Sequence, residues 1–139
     1  MIRVGPGKID VLQLLESVRR PESGALVLFV GCVRCRSEGR RVSKLLLEAY
    51  EEMASEQLAR IVEEARQRFG IVDASVVHRT GTLRVGEDIL AVAVSSEHRQ
   101  EAYEASRFIV DRLKEEAAIW KKEIGEGGEI WIEEGGRRR

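Results

Sequence analysis

Lys114, Lys121 and Lys122 are three of only five lysines in the chain, against 18 arginines. An arginine guanidinium keeps its proton in a protein. A lysine ammonium set among apolar neighbours and like charges can release it near neutral pH and act as acid, base or nucleophile. The segment KEEAAIWKKE, residues 114–123, is therefore a candidate reactive site. On a continuous helix Lys114 and Lys121 differ by only about 20° around the axis, which would put both amines on one pocket wall. Ile119 and Trp120 add apolar surface and Lys122 a like charge, and each weakens an amine's hold on its proton. The plainer reading is a solvated helix end, with the cations complementing the macrodipole and Glu115, Glu116 and Glu123 forming exposed ion pairs.

The other candidates are also cationic. His98-Arg99 falls at the start of an expected helix, where unsatisfied N–H groups and partial positive charge favour phosphate or carboxylate; residues merely facing water are the alternative. Arg34 ends an apolar strand, where it either presents a cation to an anionic ligand or enters a solvated loop. His78-Arg79 is read as ordering the turn that Gly81 permits. G-x-S-x-G, Walker, H-E-x-x-H and strand-linked G-x-G-x-x-G patterns are absent from the sequence, which disfavours the common hydrolase, NTPase, zinc-protease and dinucleotide-binding classes. Arg34, His98, Arg99, Lys114 and Lys121 together suit an anionic, phosphorylated substrate, with lysine rather than a metal or an acid pair handling protons.

Cys32 and Cys35 match the C-x-x-C spacing, but two histidines in the whole chain make a zinc site a poor fit, and on a strand positions three apart face opposite sides. Reduced thiols without a shared role are expected, with a redox pair as the alternative. With 24 acidic and 23 basic side chains the net charge is -1, so no global field draws the chain onto nucleic acid or a membrane. The N-terminus lacks an apolar leader core, and no run approaches the roughly 20 apolar residues of a membrane span, so a cytoplasmic protein is expected. The chain contains no Asn, which would suit work at high temperature.

The elements that must position these residues follow from periodicity. The 139 residues fit one domain, 1–139, with residues 134–139 expected to be a disordered tail. Asp10 is read as the N-cap of a short amphipathic helix that Pro21 stops. Residues 24–33 form an apolar strand, CRSEGRR a mobile loop, and VSKLLLEAY a second strand. A long helix runs from Glu52 to Phe69, with Gly70 at its C-terminal cap. IVDASVVHRTGTL and ILAVAVSS are expected to pair as antiparallel neighbours. Ser96 then caps a third helix that runs through Lys114 and gives way near Trp120 to a Gly-rich turn and a last strand. The order αββαββαβ, with strands in hairpin pairs and helices packed on an antiparallel or mixed sheet, indicates an α+β fold.

FVGCVR (29–34), LEAY (47–50), HRTG (78–81), SSEHR (95–99) and LKEEAAIWKKE (113–123) together resemble the large, catalytic subunits of molybdopterin synthase over residues 8–134. The resemblance implies an α/β-hammerhead fold and a sulfurtransferase that inserts two sulfurs into cyclic pyranopterin monophosphate to make the dithiolene of molybdopterin. It implies no cofactor and no metal. The sulfur donor would be a small ubiquitin-like subunit bearing a C-terminal Gly-Gly thiocarboxylate, in a heterotetramer built on a homodimer of the large subunit. Carried over by position, Lys114 and Lys121 are the catalytic lysines. Cys32, Val33, Arg34, His98, Arg99, Lys122 and Glu123 join them in binding substrate, with some of these contributed by the second copy.

The chain departs from that pattern at Cys32, where many members have lysine, in the loop CRSEGRR, and in the short tail GGRRR, which leaves open whether Arg137 supplies a cation that longer tails provide. Two other readings use the same features. One is a non-catalytic, dimeric module that binds phosphorylated metabolites; the other is a scaffold that only docks the ubiquitin-like partner.

Overall fold

The computed structural model describes residues 1–132. The expected tail disorder and any role of Arg137 lie outside the described residues. The helices are α1 (Val11–Val18), α2 (Glu51–Phe69) and α3 (Arg99–Glu116). The strands are β1 (Ile2–Gly5), β2 (Ala25–Cys32), β3 (Arg36–Ser37), β4 (Arg40–Ala49), β5 (Asp73–Arg79), β6 (Gly81–Arg84), β7 (Asp88–Ser96), β8 (Ile119–Gly125) and β9 (Gly128–Ile132).

The first sheet has the order β1-β5-β7-β2. Successive strand residues point to opposite faces, and both faces here are covered, so residues 89–94 of β7 are a continuous apolar run. Val76, Val92 and Val94 pack with Ala54 and Leu58 of α2 and Ala105 and Ile109 of α3. On the other side Val77, Ala91 and Ala93 pack with Leu14 and Val18 of α1. The Asp10 carboxylate caps α1 by accepting from the Gln13 N–H at 3.1 Å. Gly70, at φ 65°, ends α2 in the left-handed conformation that favours glycine.

The second sheet is built on β4, which pairs along one edge with β6 and along the other with β8, while β9 extends β8. Leu45, Leu47, Leu83 and Val33 form its small core. One apolar stretch feeds both sheets: β5 belongs to the first, and after Thr80 the chain turns at Gly81, φ 97°, to enter the second as β6.

The α+β class holds, and the elements read from sequence persist with further strands interleaved. Several local expectations are corrected. β2 and β4 do not form a hairpin: β2 pairs with β7, whose central residues 89–94 are apolar, and β5 and β7 pair antiparallel as expected. The stretch CRSEGRR contains β3 and a tight turn instead of a mobile loop. Glu38 and Gly39 take φ 48° and 79°, which suits a two-residue connection between twisted strands. Ser96 ends β7, its hydroxyl donates to the His98 carbonyl, and His98 is the N-cap of α3. Most important, α3 stops at Glu116, so Lys121 stands on β8 and not on a continuous helix.

Among the described residues no helix is long and apolar enough to cross a membrane. Where β8 turns into β9, Gly125 lies against a register shift in β4 between Val42 and Lys44. A Cβ on Gly125 would collide with the Arg41 carbonyl oxygen and stand 2.9 Å from Val42 Cα. Gly125→Ala is therefore expected to lower the unfolding free energy by about 1–3 kcal/mol. A urea melt reads this directly, and an unchanged midpoint would show that the two backbones can separate freely.

Candidate active site

Four chain segments converge on a cavity of about 1060 Å³. The end of β2 and the residues after it supply Cys32, Val33 and Arg34; β5 supplies His78; α3 supplies Lys114; β8 supplies Lys121 and Glu123. Phe29, Leu45, Ile119 and Trp120 provide apolar wall. The two lysines do share a pocket, but by a different route from the expected helical heptad. Ala117 leaves the helix with ψ 141°, and Ala118 is held at both polar atoms. Its N–H donates to Gln57 Oε1 at 2.7 Å, and its carbonyl accepts from the Tyr50 N–H at 3.2 Å. The chain then runs as a strand in which Lys121 and Glu123 share one face by period two.

The charges here are unbalanced in a specific way. Among the described residues neither Lys114 nor Lys121 has an acidic group within ion-pair distance, and the acids that line the cavity are engaged elsewhere. Glu116 pairs with Arg112 at 3.1 Å, Glu123 with Arg40 at 3.2 Å, and Glu129 with Lys122 at 3.3 Å. Burial, above all, holds the Lys121 ammonium below the usual lysine range; the Lys114 charge adds to this, Glu123 opposes it, and Arg34 contributes further in the same direction. The like charge that matters is thus Lys114. Lys122 lies outside the cavity, with its ammonium 4.7 Å from the centre of the Trp131 ring.

His98 and Arg99 are not brought to the cavity of their own chain. They stand exposed at the start of α3, and Lys114 lies 15 residues further on, about 22 Å along the axis at 1.5 Å per residue. Cys32 and Cys35 are free and exposed; the Cys32 thiol is 3.7 Å from Asp88 Oδ1.

Sequence reasoning assigned His78 to a turn. It is a buried cavity residue, 4% exposed, whose Nδ1 is 2.8 Å from the Arg79 carbonyl oxygen. Arg79 has the structural role, reaching Glu87 at 3.4 Å. The alternation in VVHR, ending an otherwise apolar strand, is the signal that could have placed an imidazole inside. Gln57 was also missed, since a glutamine on an amphipathic helix carries no mark of a long-range bond to Ala118.

Burial is the main reason the His78 pKa is held down to about 4 from 6.5; the Lys121 and Lys114 charges add to it, against the hydrogen bond to Arg79. Between those two values the unfolded chain takes up a proton that the native state refuses, so stability falls as pH drops from 6.5 to 4. This one group is expected to remove about 3 kcal/mol over that window. Urea melts of wild type and His78→Gln should diverge in pH slope over that range, and parallel slopes would contradict a buried neutral imidazole.

The family model described as "MoaE protein" matches residues 4–116. A molybdopterin synthase catalytic subunit of Thermoplasma volcanium is 48% identical over 120 residues, covering 86% of this chain and 88% of that protein. The crystal structure of molybdopterin synthase from Staphylococcus aureus superposes with a TM-score of 0.88 at 38% identity, covering 93% of this chain and 94% of that one. A Helicobacter pylori structure of the complex of subunits 1 and 2 of molybdopterin-converting factor shares the fold, with a TM-score of 0.77 at 22% identity, covering 98% of this chain and 92% of that one. The chain belongs to the MoaE family, the catalytic subunits of molybdopterin synthase.

Proposed function

We propose that the cavity between α3 and β8 is where this catalytic subunit of molybdopterin synthase carries out its sulfurtransferase reaction. Sulfur would pass from the thiocarboxylated Gly-Gly terminus of a small ubiquitin-like subunit to cyclic pyranopterin monophosphate, giving the molybdopterin dithiolene. The observation that carries this reading is the pair of lysines sharing one cavity without acidic partners beside Arg34. Uncompensated cations favour an anionic substrate, and an ammonium held below its usual range gives and takes protons readily. In this reading Lys121 holds and polarises the thiocarboxylate, and Lys114 moves protons as sulfur attacks and the phosphate ring opens. Arg34 grips the phosphate, Cys32 and Val33 form wall, Glu123 tempers the Lys121 charge, and Lys122 faces the incoming carrier. The complex of two subunits seen in the H. pylori structure supports a small-subunit partner. Two free, exposed cysteines fit a reducing cytoplasm.

His98 and Arg99 would act on the cavity of a second copy. β2 forms an outer edge of the first sheet, eight residues long, without charge or proline. Such an edge invites another strand. Within one chain Ala25, at the start of β2, pairs with Ser96 just before His98, whereas Cys32, at its end, borders the cavity. Antiparallel pairing of two β2 edges about a two-fold axis sets the start of one strand beside the end of the other. The second copy's His98 and Arg99 would thereby approach Arg34, completing a phosphate site in a homodimer that carries one small subunit at each end.

The direct test mixes the purified chain with thiocarboxylated small subunit and cyclic pterin and measures dithiolene product. Lys114→Ala should cut conversion by about 10²-fold or more while the small subunit stays bound. The double change Lys114→Arg, Lys121→Arg keeps both charges and should also lose turnover, whereas a module that only binds anions would survive it. For the shared site, mixing inactive Lys121→Ala with inactive Arg99→Ala should restore about a quarter of wild-type activity, because a mixed dimer holds one intact site. No recovery after verified subunit exchange would place both residues in one chain's site.

A further inference from the structure

We propose that His78 is a specificity residue whose Nε2 accepts a hydrogen bond from an N–H or O–H of the bound substrate, so that the cavity selects an anion bearing a donor edge over a simple oxyanion. This deepens, and rests on, the reading of the cavity as a pterin site. The carbonyl of Arg79 can only accept, so His78 Nδ1, 2.8 Å away, carries the hydrogen. In the neutral ring Nε2 is then a bare lone pair. Among the described residues no protein group donates to it, although the residue is only 4% exposed and lines the cavity. Nε2 is not sealed in the protein interior but stays open to the cavity, where water or a ligand satisfies it.

The surroundings decide what kind of ligand that is. Arg34, Lys114 and Lys121, which line the same cavity, are donors only. The acidic groups there are occupied: Glu123 by Arg40 and Glu116 by Arg112. Nε2 is thus a neutral acceptor set among cations. Burial and the two ammonium charges keep the ring unprotonated at neutral pH, and a nitrogen that titrates near 4 is too weak a base to carry protons in turnover. What it can do is read a donor. The cations alone would hold any phosphate or sulfate. The additional acceptor favours an anionic ligand with amine, amide or hydroxyl hydrogens, as a reduced pterin has.

Binding of cyclic pterin and of inorganic sulfate, which has no hydrogen to donate, separates this role from general upkeep of the pocket. His78→Phe should weaken pterin binding about tenfold with sulfate affinity unchanged, and His78→Gln, which keeps an acceptor oxygen, should lie between. Equal pterin affinity in wild type and His78→Phe, or parallel loss of pterin and sulfate, would overturn the proposal. A measurement on the unaltered protein stands beside these in case the Phe variant does not fold. In imidazole ¹⁵N spectra, saturating pterin should move the Nε2 resonance toward the hydrogen-bonded range and leave Nδ1 in place; an unmoved Nε2 sinks the idea. A wild type that binds sulfate but no pterin would instead refute the functional reading on which this inference stands.

Discussion

The geometry of the cavity depends on how the backbone is held at Ala118. A helix that ends inside a protein leaves carbonyls and amides in need of partners, and a strand can begin only if the chain is turned out of the helical path. Gln57 takes the Ala118 N–H at 2.7 Å and the Tyr50 N–H takes its carbonyl at 3.2 Å, both from the start of α2. With both polar atoms fixed, α3 ends and β8 begins within three residues. Lys114 and Lys121 then reach one cavity from a helix end and from a strand. Had the helix continued, β4 would have lost its neighbour along the whole of Val42–Ala49, and an unpaired strand edge would have been exposed.

The second constraint is electrostatic. Lys121 and Glu123 share a strand face, and a free carboxylate there would pair with the ammonium and quench it. Arg40 prevents this. It is the first residue of β4, is itself buried, and bonds Glu123 at 3.2 Å. The same guanidinium donates to the Glu126 and Gly128 carbonyls at 2.8 and 2.7 Å, which fixes the β8–β9 turn. A buried ion pair is weak evidence of stability, since desolvation offsets much of the attraction. Its value here is positional: it holds one negative charge close enough to temper Lys121 and too committed to neutralise it.

What could be read from sequence divides along physical lines. Elements fixed by local chemistry were legible: the Asp10 cap, the α2 stripe ending at Gly70, and the apolar runs of β2 and β7. KEEAAIWKKE reads as helix because its residues are good helix formers, and long-range pairing with β4 overrode that preference from Ile119 onward. The lysine pair was therefore found for a mistaken geometric reason, since both a helical heptad and a helix-to-strand switch bring residues seven apart to one pocket. CRSEGRR looked mobile because charge masks turn chemistry, while Glu38-Gly39 and the buried Arg40 tie it down. His78 escaped notice because the Gly81 turn three residues on drew it into the turn, although its place on the inward face of β5 marked it for burial.

The placement of cations at both ends of α3 carries a further consequence. An 18-residue helix holds its ends about 27 Å apart, so His98 and Arg99 cannot meet Lys114 without another chain. In one chain, adding two more cations to Arg34, Lys114 and Lys121 would add repulsion to the folding of every molecule, while the acids lining the cavity, Glu116 and Glu123, are already paired. On the proposed two-fold assembly that repulsion arises only when two copies meet. It is then opposed by a new strand pairing along the β2 edge and relieved when an anion enters. If the proposed site is divided in this way, a phosphate ester bound there would be part of what stabilises the assembly.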